Sequence, residues 1–370
     1  MILHLLTDEK FTDYAIKQFS APEMKSEFVL IPTNGMMNLV SLIDKCKVIN
    51  ANSREFDSLL EHLENYTGII FHGLFGVRWQ NMLITKIPNL VKVAWMFWGG
   101  EIYSQEDETR KYMGKLTKVA FDLHNLSKKK TLKSSLNIPI PLFKRFDYCL
   151  TDIYEEYEYA KHYTQADFQF LWYNYYSLEE TVADLLDSTC NGNNIWIGNS
   201  AAEKNNHLDL FLLLIKRRLR SSIRGSKMIV PLSYGAPWVR NLITKVGRFL
   251  FRKHFCPLNS FIPIEQYNQM MLSCSTIIIA YHQPAAQGNI ITALWLGMRV
   301  YLSEKSMAYT YFKRIGCVIY SIEHDMRKNN SMVFAPMKKS DIEQNRRVLK
   351  FWYSKEEMHK RNLEIVKALS

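Results

Sequence analysis

The sequence predicts an α/β protein of two Rossmann-like domains facing a central cleft. Three observations lead there. Short, continuously apolar runs alternate with segments of helical spacing over the first half of the chain. Strands that are apolar along their whole length belong to parallel sheets covered on both faces by helices. A polar and aromatic stretch, Tyr173–Gly192, interrupts the alternation, which then resumes. The 370 residues, 47% of them apolar, suit about two domains at ~150 residues each and exclude wholesale disorder.

The expected strands of the first domain, residues 1–175, are Ile2–Leu6, Glu27–Ile31, Gly68–His72, Val91–Trp98, Asp147–Thr151 and Phe168–Trp172. Between them, Phe56, Leu59, Leu60 and Leu63 show helical spacing. Residues 176–192 read as a linker. The second domain, 193–338, has expected strands at Ile195–Gly198, Met228–Pro231, Thr276–Ala280, Arg299–Leu302 and Val318–Tyr320. A helix opening near Asn206 is expected to bury Leu208, Phe211, Leu212, Ile215 and Leu219, spaced i, i+3, i+4, i+7 and i+11. Further helices are expected at Ile264–Leu272 and Asn289–Leu296. Residues 339–370 are rich in Lys, Glu and Arg and free of Pro and Gly, and are expected to form a C-terminal helix.

The chain has 47 Lys+Arg against 36 Asp+Glu, a net charge of +11. The whole excess falls between Leu210 and Ile264, where there is no Asp or Glu. That stretch carries Lys216, Arg217, Arg218, Arg220, Arg224, Lys227, Arg240, Lys245, Arg248, Arg252 and Lys253. Such a segment attracts an anionic ligand or an anionic lipid surface. Nucleic acid is not expected, because the aromatic residues lie in the strands rather than among the cations. Lys128-Lys129-Lys130, with Lys133, reads as a basic surface loop. No run approaches the ~20 apolar residues of a membrane span, and the N-terminal apolar run is too short for a signal peptide. The expected location is the cytosol, with contact to a membrane surface left open. The six cysteines are far apart with no Cys-x-x-Cys, which argues against a zinc knot and a secreted disulfide framework.

Common chemical signatures are missing. There is no Gly-x-Gly-x-x-Gly, Walker loop, Gly-x-Ser-x-Gly elbow, Asp-x-Asp or His-x-x-x-His. What remains are loops at the carboxyl ends of strands, where open α/β sheets bind ligands. Ile197-Gly198-Asn199-Ser200 is followed by Asn205, Asn206 and His207 at a helix start. These side chains suit either a phosphate or simple helix capping. Val230-Pro231-Leu232-Ser233-Tyr234-Gly235 directly follows a strand and suits either placing Tyr234 in the cleft or an ordinary turn. Ala280-Tyr281-His282-Gln283-Pro284-Ala285-Ala286-Gln287-Gly288-Asn289 joins polar side chains, glycine and a helix start, and is the preferred diphosphate site. In the first domain, Phe71-His72-Gly73-Leu74-Phe75-Gly76 and Trp95-Met96-Phe97-Trp98-Gly99-Gly100-Glu101-Ile102-Tyr103 combine aromatic faces with a carboxylate. That set suits a sugar or acceptor, and equally a core tryptophan pair beside a solvent-exposed Glu101.

Together, His72-Gly73-x-Phe75, Trp95-x-x-Trp98-Gly99-x-Glu101-x-Tyr103, Gly198-Asn199-Ser200 with Asn206-His207, Val230-Pro231-x-x-Tyr234 and Gln287-Gly288 resemble one enzyme family. It is the TDP-N-acetylfucosamine:lipid II N-acetylfucosaminyltransferases, glycosyltransferase family 56. The order and spacing fit from the first strand to about Ile322.

The resemblance implies a GT-B fold. It places a nucleotide-sugar donor, dTDP-linked in the family, on the second domain. A lipid-diphosphate-linked saccharide acceptor would approach the first, at the cytoplasmic face of the bacterial inner membrane. The family's reaction transfers 4-acetamido-4,6-dideoxygalactose in the synthesis of enterobacterial common antigen. A capsule or O-antigen step of the same chemical type stays open. No metal or cofactor is expected, so helix N-termini and neutral donors must hold the departing diphosphate. Asn199, Ser200, Gln287, Gly288 and Asn289 are assigned that task, with Asn206 and His207 beside them. Tyr234, Glu265 and Tyr267 line the nucleotide, and Arg240, Lys245 or Arg248 adds charge. Glu101 and His72, with Asp8 as a third, are the candidates for acceptor activation. Trp95, Trp98, Gly99 and Tyr103 form the acceptor side. A two-Rossmann nucleotide-sugar epimerase and a non-catalytic sugar- or lipid-binding envelope protein are the alternatives.

Overall fold

The computed structural model describes residues 1–32, 39–128, 138–219, 223, 225–326 and 331–370. The chain forms two compact units. One comprises Met1–Gln105, Ser134–Ser177 and Tyr353–Ser370, the other Glu106–Lys133 and Leu178–Trp352.

The first unit contains β1 (Ile2–Leu6), β2 (Ser26–Leu30), β3 (Lys47–Val48), β4 (Gly68–His72), β5 (Lys92–Met96), β6 (Tyr148–Thr151) and β7 (Gln169–Trp172). They form one parallel sheet in the order β3-β2-β1-β4-β5-β6-β7. The order reverses between β1 and β4, the crevice where doubly wound sheets take ligands. The central strands β1 and β4 are buried along their whole length, which is why they read as unbroken apolar runs. The short β3 does not read that way. Both its residues are exposed at the sheet edge, so it has no apolar signature.

The second unit contains β8 (Asn194–Ile197), β9 (Met228–Pro231), β10 (Phe255–Leu258), β11 (Cys274–Ile279), β12 (Arg299–Leu302) and β13 (Tyr320–Ser321). Its sheet is again parallel, in the order β10-β9-β8-β11-β12-β13. The reversal lies between β8 and β11. Strand β10 was not foreseen because Phe255-Cys256-Pro257-Leu258 contains a proline. Proline is tolerated in a sheet at an edge, where one missing N–H costs no ladder bond, and β10 is an edge. The last strand lies at Tyr320–Ser321 rather than Val318–Tyr320, because Asn345 takes up both backbone groups of Val318.

The helix predicted near Asn206 runs His207–Lys216, with a different buried face. Its core residues are His207, Leu210, Phe211 and Leu214, whereas Leu212 is exposed. Spacing alone leaves the phase of so apolar a helix undetermined. The core decides it: Leu210, Phe211 and Leu214 pack with Phe251 and Phe255.

The C-terminal stretch is two helices, Lys339–Tyr353 and Lys355–Leu369, not one. Ser354 breaks them and caps the second by accepting from the amide of Glu357. The second helix buries Met358, Asn362, Ile365, Val366 and Leu369, all on one helical face. It belongs to the first unit, where Ile365, Val366 and Leu369 share a core with Ile2, Phe28 and Ile70. Gly68 permits the contact, since a Cβ there would lie 2.6 Å from that of Leu369.

Of the stretch 176–192, the residues from Leu178 on belong to the second unit and hold the helix Leu178–Val182. Thr292 donates to the Thr181 carbonyl and Trp295 to that of Leu186. The helix Lys115–Lys128, continuous in sequence with the first unit, also packs on the second. The Asp209 carboxylate accepts from the amides of Leu116 and Thr117 and from the Thr117 hydroxyl, satisfying the free donors of that helix N-terminus.

Candidate active site

At the carboxyl edge of the second sheet, the loops after β8, β9 and β11 converge on the point of reversal. The loops after β8 and β9 are pinned by backbone. The Ala201 amide donates to the Tyr234 carbonyl at 2.6 Å, and Ala236 donates back to Ala201 at 3.0 Å. Gly235 has φ +114°, and a Cβ there would lie 2.5 Å from the Ala201 carbonyl carbon, so only glycine fits. Tyr234 is left with an exposed side chain.

The loops after β8 and β11 are joined by side chains. The Tyr281 hydroxyl donates to Asn199 Oδ1 at 3.1 Å and accepts from Asn205 Nδ2 at 2.9 Å. It also lies 3.2 Å from Ser200 Oγ. Asn205 Nδ2 further reaches the Ser200 carbonyl at 2.7 Å. Burial pushes the Tyr281 phenol up to about 12, so it stays a neutral donor. Tyr281 and Asn205, present in the sequence only as loop members, are thus the centre of the site. No spacing reveals this, because they meet through the adjacency of β8 and β11.

The helix Gln287–Leu296 opens at the same edge. Its capping position, Ala286, is left-handed at φ +58° and supplies no side-chain cap, and its first turn has no acid. The capping residue thus offers no side-chain acceptor to this turn, which lies at the positive end of the helix dipole. Beside Gly288 there is open space: a Cβ would meet only Thr181 Cγ2, at 3.9 Å. Tyr267 donates to Asn289 Oδ1 at 3.2 Å and packs edge-on against Trp196, so Asn289 is held from below. Glu265 is exposed on the preceding helix. His282 is held down at about 4, by burial first and then by the nearby charge of Lys305. Lys305, on the loop after β12, is a cation near His282 that no sequence pattern singles out.

Asn206 and His207 do not belong to the open edge. Both are buried. Asn206 accepts from the Gly114 amide and donates to the carbonyls of Tyr112 and Ala280, which satisfies it and leaves nothing for a ligand. Arg217 is likewise a strut, donating to the carbonyls of Ile322, Glu323 and Met326. In the cationic segment, Lys245, Arg248, Arg252 and Lys253 are exposed. Arg220, Arg224, Lys129, Lys130 and Lys133 lie outside the described residues. Among the described residues no cluster of three or more His, Cys, Asp or Glu converges.

In the first unit the reversal point holds a hydrogen-bonded chain across three strands. Register places Ser26 opposite Ile2 and His4 opposite Ile70. Alternation therefore puts Ser26, His4 and His72 on one face. His4 Nε2 lies 3.1 Å from Ser26 Oγ, and His4 Nδ1 lies 2.9 Å from His72 Nε2. Ser26 donates its hydroxyl proton to the Met24 carbonyl, so Oγ accepts from His4 Nε2–H. His4 Nδ1 then accepts from His72 Nε2–H. This leaves His72 Nδ1 as a lone pair, buried and without a partner. Burial holds both imidazoles well below their usual range, so both are neutral.

Glu101 is not solvent-exposed. It is buried and accepts from the amides of Leu74 and Trp98 and from Trp95 Nε1. It ties the loop after β4 to the loop after β5, and its acceptor sites serve the fold. Trp95 is fully buried against Phe97, Phe143 and Phe168, as a residue of a central strand must be, and presents no face to a sugar. Tyr103 is buried, donating to Glu156, and Gly99 is buried beside it. Trp98 alone of this set is half-buried, donating to the Tyr175 hydroxyl. Asp8 clamps the chain by accepting from the amides of Leu39 and Val40.

Burial pushes Glu101 up to about 7 and Glu156 up to about 8. A carboxyl whose folded pKa exceeds its unfolded value binds more protons folded than unfolded between the two, so stability falls as pH rises through that interval. The buried histidines, whose folded values are lowered, contribute with the opposite sign below about pH 6.5, so the melting temperature is expected to decline between about pH 6.5 and pH 8. Glu156→Gln, which mimics the neutral form and keeps an acceptor for Tyr103, should flatten the decline when melting is followed from pH 5 to pH 9.

Two parallel Rossmann-like sheets of this order make an α/β fold of the GT-B kind. Solved structures share it across the whole chain. A glycosyltransferase from Rickettsia africae matches with a TM-score of 0.64 at 14% identity, covering 100% of this chain and 98% of its own. Anabaena HepE in complex with UDP and glucose matches with a TM-score of 0.64 at 8% identity, covering 99% of both chains. WaaG, a glycosyltransferase of lipopolysaccharide biosynthesis, matches with a TM-score of 0.51 at 8% identity over the full length of both chains. At these identities the likeness is one of fold. No family model and no curated protein matches the sequence.

Proposed function

We propose that this protein is a glycosyltransferase that moves a sugar from a nucleotide-sugar donor to a saccharide acceptor. The observation that carries the reading is the uncapped N-terminus of helix Gln287–Leu296, with open space at Gly288, at the reversal point of the second sheet. The amides at a helix start suit a diphosphate. The fold shared with a structure that holds UDP and glucose supports the same reading. Asn199, Ser200 and Asn205 form the opposite wall through Tyr281. Lys305 adds positive charge. Gln283 Oε1, buried and unpartnered, suits a hydroxyl or ring N–H of the nucleoside. Tyr234 is exposed where it can cover a base.

In the transfer, the acceptor hydroxyl attacks the sugar C1 and the bond from C1 to the diphosphate oxygen breaks. The charge left on the diphosphate is taken by the helix amides and neutral donors, without a metal. A general base takes the acceptor proton, and in the first unit His72 Nδ1 is the histidine lone pair left without a partner. This role falls to His72 rather than Glu101 or Asp8, whose acceptor oxygens hold loops together.

The motif resemblance supports a dTDP-linked 4-acetamido-4,6-dideoxy or fucose-like sugar as donor. It also supports a polyprenyl-diphosphate-linked saccharide as acceptor, at the cytoplasmic face of a bacterial inner membrane. Among the described residues no helix is long and apolar enough to cross a membrane. The test is nucleoside diphosphate release from dTDP- and UDP-sugars, in chelator, with and without a lipid-linked acceptor extract. Release that requires the acceptor, and is faster from dTDP-sugars, is expected. Donor isomerisation without acceptor would make the protein an epimerase, and binding without turnover a non-catalytic module.

A further inference from the structure

The helix Lys115–Lys128 of the second unit has two apolar faces, and only one is covered. Thr117 and Phe121 are buried, and His124 stacks on Trp238 with ring centroids 4.3 Å apart. On the other side Leu116, Val119, Leu123 and Leu126 are 38, 56, 63 and 75% exposed. At ~100° per residue these four fall within an arc of about 80°, roughly opposite the buried face. Scattered exposed leucines need no explanation, but four in register along one helix form a patch.

The charge beside the patch is cationic. Lys115 and Lys118 flank it on one side in the wheel. The one acid within the helix, Asp122, is neutralised by a bidentate pair with Arg110. An aliphatic arc flanked by lysines, on a helix whose opposite face is anchored in the protein, is the pattern of a helix lying in a membrane interface. A second copy of the chain would set like charges against each other. An anionic bilayer complements them, at about 1 kcal/mol for each lysine near the surface.

We infer that Leu116, Val119, Leu123 and Leu126 form a membrane-docking face that seats the second unit on an anionic bilayer. This assigns the lipid grip to the leucine face of Lys115–Lys128; the cationic run after Leu210, whose Lys245, Arg248, Arg252 and Lys253 are exposed, is the competing surface. It deepens the glycosyltransferase reading by naming how a lipid-linked acceptor is met.

The experiment is sedimentation of the full chain with vesicles of phosphatidylglycerol and phosphatidylethanolamine, against phosphatidylcholine alone, with no sugar nucleotide present. The parent should bind the anionic vesicles. Leu123→Gln/Leu126→Gln should lose binding by about tenfold or more at an unchanged melting temperature, since both side chains are exposed. A parent that ignores anionic vesicles, or a double variant that binds like the parent, overturns the inference. So does loss of binding confined to Lys245→Gln/Arg248→Gln/Phe249→Ser, which moves the docking face to the helix Pro237–Phe251, where Phe249 is 81% exposed. Light scattering that shows a parent dimer abolished by Leu123→Gln/Leu126→Gln overturns it in favour of a second copy. Vesicle binding does not depend on turnover, so this inference and the enzymatic reading fail separately.

Discussion

Gly288→Leu should fold as the parent does and lose nucleotide-sugar binding by ~100-fold or more, equivalent to ~2.7 kcal/mol. The two halves of this expectation rest on one geometric fact. A Cβ at Gly288 meets a single atom, Thr181 Cγ2, at ordinary contact distance. The position does not have a left-handed φ and lies in the first turn of a helix, where leucine is a better helix former than glycine. The fold therefore has no use for a glycine here. If the amides of the first turn hold a diphosphate, the ligand does, because a side chain fills the space through which the phosphates reach them. Calorimetric titration with dTDP and UDP, alongside a melting curve, reads both halves. A variant that binds either nucleotide like the parent removes this helix start from the donor site.

His72→Ala should lower kcat by roughly 10²–10⁴-fold, the usual worth of a positioned general base, while leaving the donor KM within a few-fold. The amides assigned to the donor belong to the second unit and His72 to the first. The parent's pH profile carries a second signature. Burial holds His72 well below the ordinary histidine range, so the imidazole stays unprotonated as pH falls through 6.5. Activity should therefore show no acid limb in that region. A limb near 6.5 that disappears in another histidine variant would assign the base elsewhere. Nitrogen NMR of the ring adds a readout independent of turnover. His72 should carry its proton on Nε2 and a bare Nδ1, as the bonds from Ser26 through His4 require.

The strand–loop–helix boundary at the carboxyl edge of the second sheet could be read from the chain. Gln287, Gly288 and Asn289 do open a helix after a buried strand, because a strand–loop–helix boundary is a local property of apolar runs and turn residues. Glu101, Trp95 and Tyr103 show the limit of such reading. Two glycines, tryptophans and a carboxylate at a strand end look alike whether they face a sugar or the core. The choice between the two is made by Phe143, Phe168 and Glu156, residues more than forty positions away that bury Trp95 and Tyr103. Asn206 fails for the same reason: its three partners, Tyr112, Gly114 and Ala280, come from two distant segments.

The alternation of buried strands and amphipathic helices by itself determined two parallel sheets, the positions of their central strands and the loops that end at each carboxyl edge. These follow from local rules of periodicity and from the uniform burial of central strands. Tertiary structure decided the rest. It chose which face of the apolar helix after Asn206 is core, and let a proline-bearing strand close a sheet edge. It also returned the last helix to the first unit and moved Lys115–Lys128 to the second. Those outcomes depend on apolar area buried between segments far apart in sequence, and on hydrogen bonds such as those of Tyr281, His4 and Asp209 whose partners no local pattern identifies.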